Sequence, residues 1–291
     1  MSNIPDSILQ QLDKVRDLPT LPMVVDKLGQ AIRDPNSDTA SVSAIIENDP
    51  AMMARILKVV NSAFYGTAEP VVSIRQAVAR MGFNAVENIA MATSVIQTMQ
   101  NAGKSGIDAE QFWRHCISSG ITVTVLYERT RSNLRRTYEP ELLRLAGLLH
   151  DIGKVVFIRY FPDEFARAIE LSKEKKIPLQ MAEQEIFGCD HTAIGAWLGQ
   201  RWRLPAGMIE VVQRHHDPEA AADEHRELVM LCHCANYICN REHIGDSGDS
   251  SAPAFFYSTW KRLGLQVRDI AEVVDLVKTQ ADKSVILLAL R

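Results

Sequence analysis

Apolar residues along this 291-residue chain recur at steps of three and four, the spacing that lines one face of a helix. Ile8, Leu12 and Val15 form one such stripe, Val24, Leu28 and Ile32 a second, and Ile45, Met52, Ile56 and Val59 a third. No convincing strand-like alternation appears. Proline or short polar side chains fall between the stripes at Leu18–Pro22, Asp34–Ser37, Asp49-Pro50 and Tyr65-Gly66, where they stop one helix and cap the next. The pattern predicts an all-α stack of short helices.

Further along, one helix is expected from Ala109 to about Thr130, carrying Phe112, Trp113, His115 and Cys116, and the next from about Glu139 to Asp151. A third starts from a cap at Asp190 or Thr192 and runs through Trp202. The polar, glycine-containing run Asn101–Gly106 marks a boundary between an amino-terminal helical half, 1–105, and a histidine-bearing half, 106–245. A second loop, Gly245–Pro253, precedes carboxy-terminal helices over 254–291 that are expected to pack on the same fold. That loop is polar enough to read as mobile.

A composition of 46% hydrophobic and 23% charged residues is that of an ordinary globular chain long enough for one large core or two fused subdomains. The net charge of −4, with Arg129–Arg136 as the only basic cluster, argues against nucleic acid as a partner. The longest apolar runs, VVFI and VILLAL, fall far short of the roughly 20 residues a membrane-spanning helix needs, and no secretory segment is seen. Cys116, Cys189, Cys232, Cys234 and Cys239 are odd in number and irregular in spacing, so reduced thiols and a cytoplasmic location are expected. Cys232, Cys234 and Cys239 lack the paired spacing of a zinc ribbon and read as buried apolar residues.

Candidate chemistry concentrates in LLRLAGLLHDIGK, where His150 and Asp151 end an apolar helix and Gly153 and Lys154 follow. An imidazole beside a carboxylate offers two metal ligands of different hardness, and the lysine offers a cation for phosphate. His115, His191, His215 and His216 lie at or near predicted helix ends or on packed helices, and together with His150 and Asp151 they form a set able to line one pocket. Each has a plainer reading: His115 as a structural imidazole beside Trp113, His191 with Asp190 as part of a helix cap, His215-His216 as a complement to a helix dipole, Lys154 as a surface lysine at a helix end. His225, His233 and His243 fall in polar or irregular contexts outside the set.

FWRHC, LAGLLHDIGK, DHTAIGAWL and VVQRHHDP, in that order, resemble the HD metal-dependent phosphohydrolase superfamily. DPAMMARILKVVNSAFYG over Asp49–Gly66, followed by VVSIRQAVARMGFNAVENIAM, resembles its regulatory relative, the HDOD domain, and the likeness runs from Leu18 to Tyr237. The resemblance implies an HD-like helical bundle with an amino-terminal helical subdomain, found mainly in bacterial signalling proteins, where many members have lost catalytic ligands. By similarity to HD-GYP proteins, His115 takes the place of the first ligand, His150 and Asp151 that of the HD pair with Asp151 bridging, His191 the next, and His215 and His216 the paired histidines. Asn236, in Cys234-Ala235-Asn236-Tyr237, stands where the family carries an aspartate, which weakens the first metal position and leaves Asp151, His191, His215 and His216 intact at the second. Lys154 matches a lysine that approaches substrate phosphate. No Gly-Tyr-Pro motif follows His216, so activity on cyclic di-GMP is not supported.

The resemblance implies regulation before catalysis: a signal-transduction module whose degenerate HD pocket holds one or two iron, manganese or zinc ions, with a signalling protein or a small phosphorylated ligand as partner. The alternatives are an active phosphohydrolase on a nucleotide or other phosphoester, with Asp151 and Lys154 carrying the chemistry, and a structural adaptor with an empty pocket. Asn61–Gly66 reads either as packing for the amino-terminal half or as part of a surface that covers the pocket or meets a partner.

Overall fold

The computed structural model describes residues 4–14, 23–62, 69–98, 106–250, 253–266 and 268–284, and every regular element among them is helical. Val15, the Leu18–Pro22 and Tyr65-Gly66 breakers, the Ala63–Gly66 part of Asn61–Gly66 and residues 101–105 of the expected boundary lie outside the described residues. The chain divides into two compact units, one of residues 1–18 and 101–281, the other of 19–100 and 282–291. Helix α1 (Asp6–Lys14) belongs to the first; α2 (Met23–Arg33), α3 (Thr39–Glu47), α4 (Pro50–Val60), α5 (Ile74–Met81) and α6 (Phe83–Thr98) make the body of the second. The chain returns to the first unit with α7 (Ala109–Thr130), α8 (Pro140–Leu149), α9 (Ile152–Tyr160), α10 (Pro162–Lys175) and α11 (Leu179–Phe187). There follow α12 (His191–Arg201), α13 (Ala206–Arg214), α14 (Arg226–Arg241), α15 (Tyr257–Leu263) and α16 (Asp269–Ser284).

The helix starts are written in short polar side chains. Asp38, Asp49, Ser73, Asp108 and Asp190 each accept a hydrogen bond from a backbone N–H of the first turn they precede, and Pro50, Pro140 and Pro162 sit where a missing N–H costs nothing. Asn61 ends α4, and its amide both donates to Val71 O and accepts from Val71 N, each at 2.7 Å, fastening the end of the helix to Val71.

Ile8, Leu12, Leu28, Met52, Ile56 and Val59 are buried as their period implies, but Val24, Ile32 and Ile45 are only half-buried. Val25 and Ile46 are buried instead. In the third stripe the phase slips because Asn48-Asp49 ends α3 and restarts the turn as α4, so a stripe counted across that break does not describe one face. Residues 1–18, read as part of the amino-terminal half, belong to the histidine-bearing unit: Asp13 pairs with Arg201 of α12 at 3.8 Å and Pro5 packs over Gly188.

Helix α7 runs between α8 and α14 and buries side chains almost all round. It touches α8 backbone to backbone. A Cβ on Gly147 would lie 2.3 Å from Gly120 N, and one on Gly120 would lie 2.5 Å from Arg144 O, so only glycines permit this crossing. On the other flank Thr122 Oγ1 meets Cys239 Sγ of α14 at 3.4 Å. All five cysteines are buried free thiols, and no described helix is long and apolar enough to cross a membrane.

Candidate metal centre

Four helix ends deliver the predicted residues to one place in the histidine-bearing unit. His115 comes from the first turns of α7, His150 and Asp151 from the break between α8 and α9, His191 from the first residue of α12, and His215 and His216 from the end of α13. The α7–α8 crossing brings the His115 and His150 rings to 5.4 Å, and the His150 and His215 rings stand 4.9 Å apart. Gly153 admits α12: a Cβ there would fall 1.8 Å from His191 O.

The donor atoms fall into two groups that share Asp151. One comprises Asp151, His191, His215 and His216, the other His115, His150 and Asp151, and within each group one atom per residue lies within 4.8 Å of all the rest. Asp151 is fully buried; its Oδ1 stands 3.3 Å from His191 Nε2 and 3.5 Å from His215 Nε2, and its Oδ2 stands 3.4 Å from His150 Nε2. His191 Nε2 and His216 Nε2 face each other at 3.1 Å.

The outer nitrogens say which way the inner lone pairs point. His150 Nδ1 meets Gly147 O at 2.6 Å and His215 Nδ1 meets Val212 O at 3.0 Å. A carbonyl only accepts, so Nδ1 carries a proton in both rings, and the neutral ring so fixed turns the lone pair of Nε2 inward. His191 Nδ1 meets Glu183 Oε2 at 2.6 Å, and the same oxygen accepts the His191 backbone N–H at 2.8 Å, which assigns the Nδ1 proton to the histidine. This outward anchoring is how metal-ligating imidazoles are oriented. His150 Nε2, His215 Nε2 and Asp151 Oδ1 are buried without a hydrogen bond among the described residues, a cost an apo pocket tolerates and a divalent cation would relieve. Imidazole and carboxylate donors suit iron, manganese or zinc, and the donor set therefore fits the group expected from the sequence.

Burial lowers His115 to about 3 and His215 to about 4, in both cases assisted by the neighbouring His150, and lowers His216 well below its usual value. These rings are neutral near pH 7, the form that ligates. His191 goes the other way, since Glu183 and Asp151 outweigh burial and raise it. Burial likewise opposes the Asp151 charge, but His150 and Lys154 hold it well below the carboxylate range.

Lys154 is not at the surface. It is fully buried, and its Nζ donates to Asp151 Oδ2 at 2.9 Å, Asp249 Oδ2 at 2.9 Å and Ser247 O at 3.1 Å. Asp249 comes from the loop read as mobile. Its described part, 245–250, instead turns inward, with Ser247 buried and the single proton of its Oγ within reach of Asn240 Oδ1 at 2.6 Å and Asp249 Oδ2 at 2.9 Å. Asn236, also buried, accepts at Oδ1 from Asn240 Nδ2 at 2.6 Å. His233, expected in a polar or irregular context, is buried on α14, where its Nδ1 donates to His215 O at 2.8 Å. Glu183, Ser247, Asp249 and His233 thus support the site without having been singled out. Only a histidine type marked His233, and nothing in the local pattern marked the others.

Comparison with known proteins fits this geometry. The sequence model of the HDOD domain matches residues 18–218. A relative of uncharacterized role from Treponema pallidum (strain Nichols) is 28% identical over 226 residues, 77% of this chain and 42% of its own length, so the chain spans less than half of that curated relative. A crystal structure of an HDOD domain protein of unknown function from Geobacter sulfurreducens superposes with a TM-score of 0.77 at 23% identity, covering 96% of this chain and 97% of that one. A protein from Shewanella amazonensis, provisionally classed as a phosphohydrolase, gives 0.73 at 22% identity over 98% and 97% of the two chains. One from Marinobacter aquaeolei, provisionally classed as a signal transduction protein, gives 0.74 at 21% over 100% and 67%. At these identities the structural likeness establishes the fold.

Proposed function

Since the chain belongs to the HDOD domain family, we propose that it is a bacterial signal-transduction module whose HD pocket binds a divalent transition metal and works without turnover. The metal part of this reading rests on the donor atoms of His191, His215 and His216 gathered around Asp151, with Nδ1 of His191 and His215 anchored outward. The regulatory part rests on Lys154. The cation that would approach a substrate phosphate is committed to Asp151, Asp249 and Ser247 inside the protein, and Asn236 has its carbonyl engaged by Asn240.

A divalent ion bound by Asp151, His191, His215 and His216 would supply a Lewis acid for a phosphoryl oxygen. The chain's own contribution is to exclude water by burial, to keep the imidazoles of His115, His215 and His216 neutral, and to fix the ring orientations of His150, His215 and His191 through Gly147, Val212 and Glu183. The partner we assign is a signalling protein or a small phosphorylated ligand. The Arg129–Arg136 cluster is partly neutralised, with Arg129 on Glu272 at 2.8 Å and Arg131 on Glu128 at 3.3 Å, which supports a partner other than nucleic acid. Five buried free thiols are in keeping with a reducing cytoplasm.

The second reading, a working phosphohydrolase on a nucleotide or other phosphoester, is favoured by the same four-donor group with Lys154 at its edge. Metal analysis of protein expressed with iron, manganese and zinc available, followed by a panel of phosphodiesters and nucleotides, separates the two. Bound metal with no hydrolysis is the expected result. Hydrolysis that disappears in Asp151→Asn would overturn the regulatory reading, and absence of metal would remove the basis for both.

A further inference from the structure

We infer that the pocket takes one divalent ion per chain, at Asp151, His191, His215 and His216, because the ammonium of Lys154 already occupies the cation's place on the opposite oxygen of Asp151. This rests on the metal-binding reading above and sets its stoichiometry. The two oxygens of Asp151 face different surroundings. Oδ1 looks toward His191 Nε2 and His215 Nε2 and makes no hydrogen bond, so its lone pairs are uncommitted. Oδ2, the oxygen nearer His150 Nε2, accepts from Lys154 Nζ at 2.9 Å.

That ammonium cannot swing aside cheaply. Its three protons are matched by three oxygens, those of Asp151, Asp249 and Ser247, and the side chain has no exposed surface. A divalent ion placed against Oδ2 would meet a fixed positive charge in a water-poor environment, where repulsion is only weakly screened. Asp249 makes the arrangement self-consistent, since it supplies the second negative charge that a buried lysine beside a single carboxylate would lack.

The remaining donors on that side are also weaker. His115 has its Nδ1 unpartnered and its Nε2 3.5 Å from Ser119 Oγ, so no carbonyl or carboxylate anchors its ring as Gly147, Val212 and Glu183 anchor those of His150, His215 and His191. Asn236 is a neutral amide whose oxygen is already accepting from Asn240. The chain Asn236, Asn240, Ser247, Asp249, Lys154 and Asp151 therefore replaces a second metal by a continuous set of hydrogen bonds.

The test is the number of Mn²⁺ ions bound by the chelator-stripped 291-residue chain, read by calorimetric titration and by elemental analysis after dialysis. One ion per chain is expected, lost in His216→Ala and retained in His115→Ala. The double variant Lys154→Met/Asp249→Asn removes one positive and one negative charge together, so the net charge of the site is kept while Oδ2 of Asp151 is freed for a cation. It should gain a second ion, with circular dichroism confirming unchanged helical content. Two ions on the unaltered chain, loss of the single ion in His115→Ala, or a folded double variant still limited to one would each overturn the inference while leaving metal binding in place. No ion at all would overturn the metal-binding reading itself and this inference with it. If the double variant fails to fold, the wild-type stoichiometry and the contrast between His115→Ala and His216→Ala decide.

Discussion

Glu183 Oε2 accepts two hydrogen bonds from a single residue, the backbone N–H and the Nδ1–H of His191, and it does so with no exposed surface. The carboxylate fixes both the tautomer and the direction of that imidazole, as outer partners of metal ligands do. Glu183→Gln preserves the shape but removes the charge, and the amide meets the same two protons with a weaker acceptor. The expected outcome is a metal affinity lower by about 10–100-fold, measured as a calorimetric Kd for Mn²⁺, with the helical content of the protein unchanged. An unaltered Kd would show that the helix start alone orients His191. Glu183 was illegible in the sequence for a physical reason. Within LQMAEQEIF its charge looks like any solvated helix residue, and its burial depends on a partner eight positions on that arrives only when α12 folds back against it. His150 and Asp151, by contrast, were legible because an apolar run carries them directly into the core.

Helix ends, more than helix bodies, set the site, and they were the most readable elements. Asp190 was a visible cap candidate, and its Oδ1 accepts from Ala193 N at 3.0 Å and from Thr192 Oγ1 at 2.7 Å while Oδ2 accepts from Gln180 Nε2 at 2.9 Å. Because His191 is the first residue of α12, fraying that turn displaces a proposed ligand as well as costing stability. Asp190→Ala should destabilise the apo protein by about 0.5–2 kcal/mol in urea denaturation, the usual worth of such a cap, and weaken Mn²⁺ binding in the same variant. Loss of stability with an unchanged metal Kd would separate the cap from the ligand. The elements that misled were those whose fate is decided elsewhere. The loop after α14 is rich in Gly, Ser and Asp and looks solvated, yet Lys154 needs a second carboxylate and draws Asp249 inward. The stripe through Ile45 and Met52 changed phase because a cap at Asp49 intervened, which a count of apolar positions does not register.

Across the whole molecule, the buried imidazoles tie stability to pH and to metal. The all-helical class was legible because one period dominates the chain, whereas the membership of α1 in the histidine-bearing unit was not, since it depends on contacts with residues near 188 and 201. In the metal-free fold His115 is held at about 3 and His215 at about 4, and His216 is lowered too, while the unfolded chain protonates each near 6.5. Above pH 6.5 neither state carries these protons and no difference arises. As pH falls below 6.5 the unfolded chain takes them up first, so stability is lost progressively until the folded rings protonate near pH 4 and below. His191, whose value is raised, works in the opposite direction and offsets part of this loss by holding a proton in the fold. Four lowered rings, with His233 lowered by burial as well, against one raised ring set the net sign: the Tm of the stripped protein should fall between pH 6.5 and 4, and His215→Ala should flatten that decline. A bound ion stabilises only the folded state, by about 2.7 kcal/mol when its concentration is 100 times Kd. Mn²⁺ should therefore raise Tm most clearly near pH 7 and lose its effect as acid makes protons compete for the imidazoles, with EDTA reversing the gain. A Tm of stripped protein independent of pH over that window would mean that these imidazoles are not held neutral in the fold. A Tm indifferent to Mn²⁺ at pH 7 would mean that they do not converge on a cation.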